Sequence, residues 1–509
     1  MNPFQAWHLP PGFSLLQGEV AVLEGCGVPA FQYSTLPEPR LRELLDFLRR
    51  EREKTLVSVP VSRVVEAVDR VAGRLLDPGD RLRAGALERL GPYSGFSSPM
   101  AEAVLEGMAR SWMREGLWDL VRSEFPDPAV LDGFRPGMTG DKTRALGFPL
   151  TFHLGAGTVP GVATTSLIRG LLVKSAVLLK PGLGDLPLPV FFAKGLEEED
   201  PELARSVAVL YWPVEESGNT ETALKEADLV VTYGSDETIR WVRERLPPQT
   251  PLRAYRHRMG FALVGRGALS GKTGATAGDG ASSVAREIAM SVAQDAARSV
   301  AQDSARSVAQ DAARSVALFD QKGCVSPHVF LVERGGEVKP EEWAALLAGA
   351  LRELETVLPS GDVSLEEGVA IQQLRGVAEM GEGLGDGVVH HGGEGAPWTV
   401  LFLPGGTVEP SCLNRTVRVL PVDTVQDALS ALRVWVPYLQ TVGVAGLEGR
   451  AAEVMESLAR LGVSRIASLG GVPWPRPWWH HDGFGPLQDL VRWTDVEGVD
   501  SFSSGTAEE

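Results

Sequence analysis

Cysteine is scarce in this chain of 509 residues: there are three, Cys26, Cys324 and Cys412. An odd, sparse set without paired spacing argues against a disulfide framework or a cysteine-based zinc site, and suits a reducing compartment. Basic residues are also short, with 49 Lys and Arg against 66 Asp and Glu and a net charge of −17. That balance disfavours tight binding to nucleic acid or to an anionic membrane surface. An anionic cofactor is not excluded, because a few local cations and backbone N–H groups can hold one. No run reaches the ~18 uninterrupted apolar residues of a membrane-spanning helix. The opening MNPFQAWHLPPGFSLL lacks the basic start and apolar core of a signal peptide. These absences lead to the expectation of a soluble, cytoplasmic protein with no membrane span. With 44% apolar and 23% charged residues, the chain otherwise has an ordinary globular composition.

Residues 1–140 read as a helical N-terminal region, because LRELLDFLRREREKTL and VSRVVEAVDRVAGRLL repeat apolar residues at helical spacing. No catalytic pattern stands out there, and packing or oligomer formation is the expected role. In 141–265 short apolar runs such as SAVLLKP, VAVLYWP and DLVVTYG alternate with amphipathic helices. That alternation indicates a parallel sheet covered on both faces. Residues 266–317 form a Gly/Ala-rich linker and a repeat. The linker's SGKT does not make a phosphate loop, since Arg266 stands where the motif needs glycine. A second α/β unit spans 318–440. The segment 441–509 is expected to pack back on the core.

The repeat has a period of eight: SVAQDAAR begins at Ser291, SVAQDSAR at Ser299 and SVAQDAAR at Ser307, with degenerate copies at Ser283 and Ser315. Its alanines and its Asp-to-Arg spacing favour helix. Eight residues overshoot two turns by about 80°, so the valines spiral around the axis. The expectation is therefore a helix projecting into solvent as a recent expansion, not a core element.

Two constellations carry chemistry. GAGTVPG at 155–161 sits between a strand and a helix, and Gly155 and Gly157 allow backbone N–H groups to face an anion. The next strand ends in Lys180, where a dinucleotide site usually has an acid for the ribose. A cation there would accept a 2′-phosphate and points to NADP. In FDQKGCVSP, Cys324 follows a helical run and precedes a strand, beside a glycine that permits close approach. A thiolate suits attack on a thioester carbonyl. The adjacent pairs His390-His391 and His480-His481 lack metal-site spacing, and no metal is expected.

The blocks VPGVATTSLIRGLLVKSAVLLK, FFAKGLEEEDPELARSVAVLYWP, VVTYGSDETIRWVRERLPP, YRHRMGFALVG, LFDQKGCVSPHVFLVE and WWHHDGFGPLQDLVRW resemble, in order, the LuxC-type acyl-CoA reductases. That family is a branch of the aldehyde dehydrogenase superfamily. The resemblance implies an α/β aldehyde dehydrogenase-like fold, with a Rossmann-type cofactor domain and an α/β catalytic domain. It implies NADPH-dependent reduction of a fatty acyl thioester to the aldehyde, with Cys324 as acyl acceptor. Lys180 is then placed at the cofactor ribose and Gly234-Ser235 near the pyrophosphate. A homo-oligomer and an acyl-protein synthetase partner are implied as well. Thr158 replaces the family's usual Asn as oxyanion donor. The superfamily's general-base Glu has no counterpart around Tyr255-Arg256-His257-Arg258, and His257 becomes a candidate proton donor to the hemithioacetal oxygen. The rival readings are an oxidative aldehyde dehydrogenase and an impaired homologue serving as an assembly partner.

Overall fold

The short apolar runs assemble into two parallel sheets in a computed structural model that describes residues 3–137, 141–271, 283–393, 395 and 397–497, with side chains of 283–296 excluded. The first sheet has six strands, in the order Leu252–Arg256, Leu229–Gly234, Leu150–Leu154, Ala176–Lys180, Val207–Leu210 and Trp7–His8. All pairs are parallel except the last. The direction of winding reverses between Leu150–Leu154 and Leu229–Gly234, so a crevice opens beyond their C-terminal ends. The second sheet has seven strands, in the order Val388–His391, Thr399–Phe402, Thr416–Val422, Pro327–Glu333, Met259–Val264, Leu439–Ala445 and Arg465–Ser468. Only its Val388–His391 edge is antiparallel.

The N-terminal region is less helical than its amphipathic segments suggest. Helices run from Glu38 to Ser111 and beyond, but strands precede them, and Trp7–His8 extends the first sheet. A two-residue strand carries too little periodicity to be read from sequence. Met259–Val264 also departs from the expected division at 265, because it lies in the middle of the second sheet. All six of its residues are buried. Such a strand needs cover on both faces and neighbours on both sides, which the half-exposed Leu252–Arg256 edge of the first sheet cannot supply.

The repeat forms one helix, Ser283–Ala317, but its face described from residue 297 onward is partly buried and does not simply project into solvent. Ala301, Ala305, Ala309, Ala312, Ala313 and Val316 are buried, in one cluster with Ala344, Leu347 and Leu351 of helix Pro340–Glu355. The valines do spiral: Val300 is 47% exposed, whereas Val316 is fully buried. The octad also places alanines four residues apart, and these drift only ~40° per step. Small side chains therefore keep one face of the helix close to its neighbour while the valines rotate past it. The linker residues 272–282 lie outside the described residues.

A third sheet joins Val491–Val496 to Lys142–Gly147 and Arg135–Pro136. It brings the Trp- and Pro-rich tail back over the two main sheets. Among the described residues no helix is long and apolar enough to cross a membrane.

Candidate active site

The backbone that delivers Cys324 is strained. Phe319, Asp320 and Gln321 have φ of 59°, 47° and 63°, and Leu413, Asn414 and Arg415 have φ of 65°, 49° and 55°. Non-glycine residues in this region cost about 1–3 kcal/mol each, so surrounding bonds must hold them. The Gln321 amide does so by mimicking a strand: its Nε2 donates to Pro327 O (2.9 Å) and Thr416 O (2.8 Å), and its Oε1 accepts from Thr416 N (2.9 Å). The two left-handed stretches are thereby stitched together just ahead of the thiol.

Cys324 is half-buried, and what it exposes opens onto cavities on two sides. One, of about 150 Å³, is apolar and bounded by Met108, Trp112, Leu117 and Leu120 of the N-terminal helices and by Trp474 and Trp479 of the tail. The other, of about 270 Å³, lies at the crevice of the first sheet and is lined by Ala156, Thr158, Gly234, Ser235 and His257. Thus Thr158, His257, Gly234, Ser235 and Cys324 come together around one cavity. No Asp or Glu lines either cavity among the described residues.

Burial pushes the Cys324 thiol up to about 12, and the negative charge of Asp482 adds to the shift. His481 Nε2 lies 3.9 Å from Sγ, and the Gln440 amide and the Cys324 backbone N–H also face the thiol and partly offset the shift. Burial holds the His481 imidazole down to about 4, so it is neutral at pH 7. The ring is stacked between Tyr255 (4.5 Å) and Trp479 (4.6 Å), and Tyr255 stacks in turn on Tyr233 (4.6 Å). Asp482 anchors the turn by accepting from Gln440 Nε2 at 2.7 Å.

The glycine loop faces the crevice cavity through Ala156 and Thr158, but its helix end is already occupied. The N–H groups of Gly161 and Ala163, at the start of helix Val162–Leu172, donate to the buried Asp185 carboxylate at 2.7 and 2.9 Å. The anion at this helix terminus is internal. Burial raises that carboxyl to about 7 despite the two N–H donors. A Cβ on Gly157 would lie 3.1 Å from Gly184 N, and one on Gly155 would lie 3.1 Å from the Ala163 Cβ. Both glycines thus serve close packing, Gly157 against the 182–184 backbone. By contrast, Ser235 opens helix Asp236–Arg245 as its N-cap at the cavity mouth.

Lys180 ends the strand beside the crevice, with its ammonium 5.2 Å from the Tyr211 ring and 5.7 Å from the Trp212 ring. It is 7% exposed, and burial lowers it to about 8. No hydrogen bond or ion pair engages it among the described residues. Glu215 is the anion that acts on it, and Lys180 lines neither cavity around Cys324. A buried ammonium without a direct ion pair, at the C-terminal end of a strand neighbouring the winding reversal, suits a phosphorylated nucleotide.

Two contributions escaped the sequence reading. The apolar walls come from residues 108–120, where helical periodicity alone looks like packing. His481 was weighed only as half of a histidine pair. The one signal for it was the density of Trp, Pro and His in 473–482.

Residues 56–493 match the family model described as acyl-CoA reductase (LuxC). A long-chain acyl-protein thioester reductase of Aliivibrio fischeri is 24% identical over 454 residues, covering 87% of this chain and 84% of that protein. Its counterpart in Vibrio harveyi is 23% identical over 427 residues, covering 83% and 80%. Among solved structures, a salicylaldehyde dehydrogenase of Pseudomonas putida G7 superposes with a TM-score of 0.69 at 13% identity, covering 98% and 99%. A methylmalonate-semialdehyde dehydrogenase of Oceanimonas doudoroffii gives 0.69 at 12%, covering 97% and 98%. The fold is that of the aldehyde dehydrogenases.

Proposed function

This chain belongs to the acyl-CoA reductase (LuxC) family, and on that premise we propose that it reduces a fatty acyl thioester to the aldehyde with NADPH, through an acyl intermediate on Cys324. The observation that carries the reading is the place of Cys324, in the wall shared by the apolar cavity under the tail and the cavity at the sheet crevice. An acyl chain lying in the first puts its carbonyl at the thiol, and a cofactor in the second reaches the same carbon. The names of the relatives specify a long-chain acyl-protein thioester. We accordingly take acyl-protein, delivered by a synthetase subunit, as a donor beside acyl-CoA.

Cys324 Sγ attacks the thioester carbonyl, and the carrier thiol leaves. Lys180, Gly234 and Ser235 would hold the cofactor, with the Lys180 ammonium as the group to pair with its 2′-phosphate. When bound, NADPH supplies the hydride to the acyl carbon. The Thr158 hydroxyl and the Cys324 backbone N–H donate to the oxyanion. His257 protonates the hemithioacetal oxygen from the same cavity wall. Aldehyde then leaves, and the thiol is restored. The lack of a lining carboxylate among the described residues supports reduction over oxidation, because hydrolysis of an acyl-cysteine needs a base to activate water and hydride transfer does not.

The test is NADPH consumption with a panel of acyl-CoAs, run with wild type and Cys324→Ala. Aldehyde formed by wild type and abolished in the variant is the expected result. No turnover by wild type, with no acyl label trapped on Cys324, overturns the reading.

A further inference from the structure

We infer that His481 is the base that takes the Cys324 thiol proton as the thioester is attacked, and the acid that returns it to the departing carrier thiolate. The inference rests on the reductase reading above and adds a catalytic residue to it. The geometry is its first support. His481 Nε2 lies 3.9 Å from Sγ, and a hydrogen bond to the nucleophile is commonly long before substrate binds. His481 and Cys324 line both cavities together, whereas His257 lines only the cofactor side. A proton held on His481 is therefore within reach of a leaving group on the acyl side.

The second support is the need. A thiol this strongly disfavoured as a thiolate is a poor nucleophile unless its proton leaves as the new bond forms. Among the described residues no carboxylate lines the cavities to take that proton. Asp482 faces the pair electrostatically, but its Oδ1 is engaged by Gln440 and its Oδ2 by the Arg256 N–H at 3.3 Å. The His481 ring is neutral and so has a lone pair to offer; burial disfavours the imidazolium, which confines the proton's stay on Nε2 to the passage between the two sulfurs. The third support is rigidity. The Tyr233–Tyr255–His481–Trp479 stack fixes the ring plane, which keeps Nε2 aimed at sulfur.

The step balances. Sγ–H breaks and Nε2–H forms as sulfur bonds to the acyl carbon. The C–S bond to the carrier then breaks, and the carrier thiolate takes the proton from Nε2. His481 ends neutral, and no oxidant or reductant is consumed before hydride arrives. The groups facing the imidazole, from every side, are Asp482 in its own turn, Tyr255 and Tyr233 from two strands, Arg169 from helix Val162–Leu172 and Arg258 from the turn after Arg256. Arg169 and Arg258 both disfavour a proton on the ring, and Asp482 favours one.

The test compares wild type with His481→Gln, which keeps a polar side chain, and His481→Phe, which keeps the stack. The readouts are single-turnover release of CoA from myristoyl-CoA, and alkylation of Cys324 by iodoacetamide across pH 6–9. Both variants should release CoA about 10²-fold more slowly. Their alkylation should slow at pH 7, climb steeply with pH, and be accelerated by added imidazole. Either variant acylating and alkylating within about 2-fold of wild type overturns the inference, as does slow acylation with unchanged alkylation, which is the signature of a purely structural role. If wild type never releases CoA, the reductase reading falls, while alkylation still decides whether His481 is the base of the thiol.

Discussion

Asp320 Oδ1 accepts a hydrogen bond from Arg415 Nε at 2.8 Å, and both side chains are buried. Each residue lies in one of two left-handed stretches, 319–321 just before Cys324 in the chain and 413–415 bonded to the first through Gln321. The pair therefore clamps strain at the nucleophile, and Arg415 extends the clamp to Leu358 O at 2.9 Å. Asp320→Asn keeps the shape but removes the charge. It should cost about 3 kcal/mol of stability, the lower end for breaking a buried pair. Acylation should slow with little change in KM, because the loss is in placing sulfur and not in binding the chain. Denaturant unfolding and single-turnover acylation check the two halves; a variant that unfolds earlier but acylates normally would confine the pair to folding.

The proposed pairing of Lys180 with a ribose phosphate can be tested at the side chain. Lys180→Met should raise KM for NADPH roughly 10- to 100-fold, as expected for losing a charge-assisted bond of about 1.5–3 kcal/mol. KM for NADH should barely move. Steady-state titration of both cofactors measures this directly, and an equal effect on the two would detach Lys180 from the 2′-phosphate.

Gly107 is the notch that seats Trp474. A Cβ there would lie 2.0 Å from the Trp474 ring, which also meets Phe319 edge-on at 5.2 Å. Gly107→Ala should drive the indole into the apolar cavity and raise KM for long acyl chains more than for short ones. Trp474→Ala should do the reverse and admit longer or bulkier chains. A chain-length series of acyl-CoAs reads both changes.

His8, His153 and His328 are buried, and burial lowers them to about 4, 3 and 4. In the unfolded chain they take up protons near pH 6.5, while in the folded chain they stay neutral. The unfolded state then binds more protons, so stability is present above pH 6.5 and falls as pH drops toward 4. The loss should be on the order of 2–3 kcal/mol per histidine by pH 4. Thermal midpoints from pH 8 to 4 should show the decline. His481 is lowered in the same way, so His153→Gln, which still offers partners to Ser166 and Thr151, should flatten it by about a quarter.

Much of this protein was already legible in residue order. Alternating apolar runs and amphipathic helices announced two covered parallel sheets, because that periodicity is a local consequence of which faces are buried. Cys324, between a helical run and a strand, and Lys180, at a strand end, could be picked out because their neighbours in sequence are their neighbours in space. Tertiary structure decided the rest. Asp185 filling the helix terminus beside Gly161 is a contact 24 residues apart in the chain, and no local pattern encodes it. The repeat helix reads as solvent-exposed by its valines, yet its alanines are buried because helix Pro340–Glu355 approaches that face. His481 meets Cys324 across 157 residues. Local sequence sets periodicity and propensity, whereas a site is a convergence of distant segments that only the folded packing of both sheets brings about.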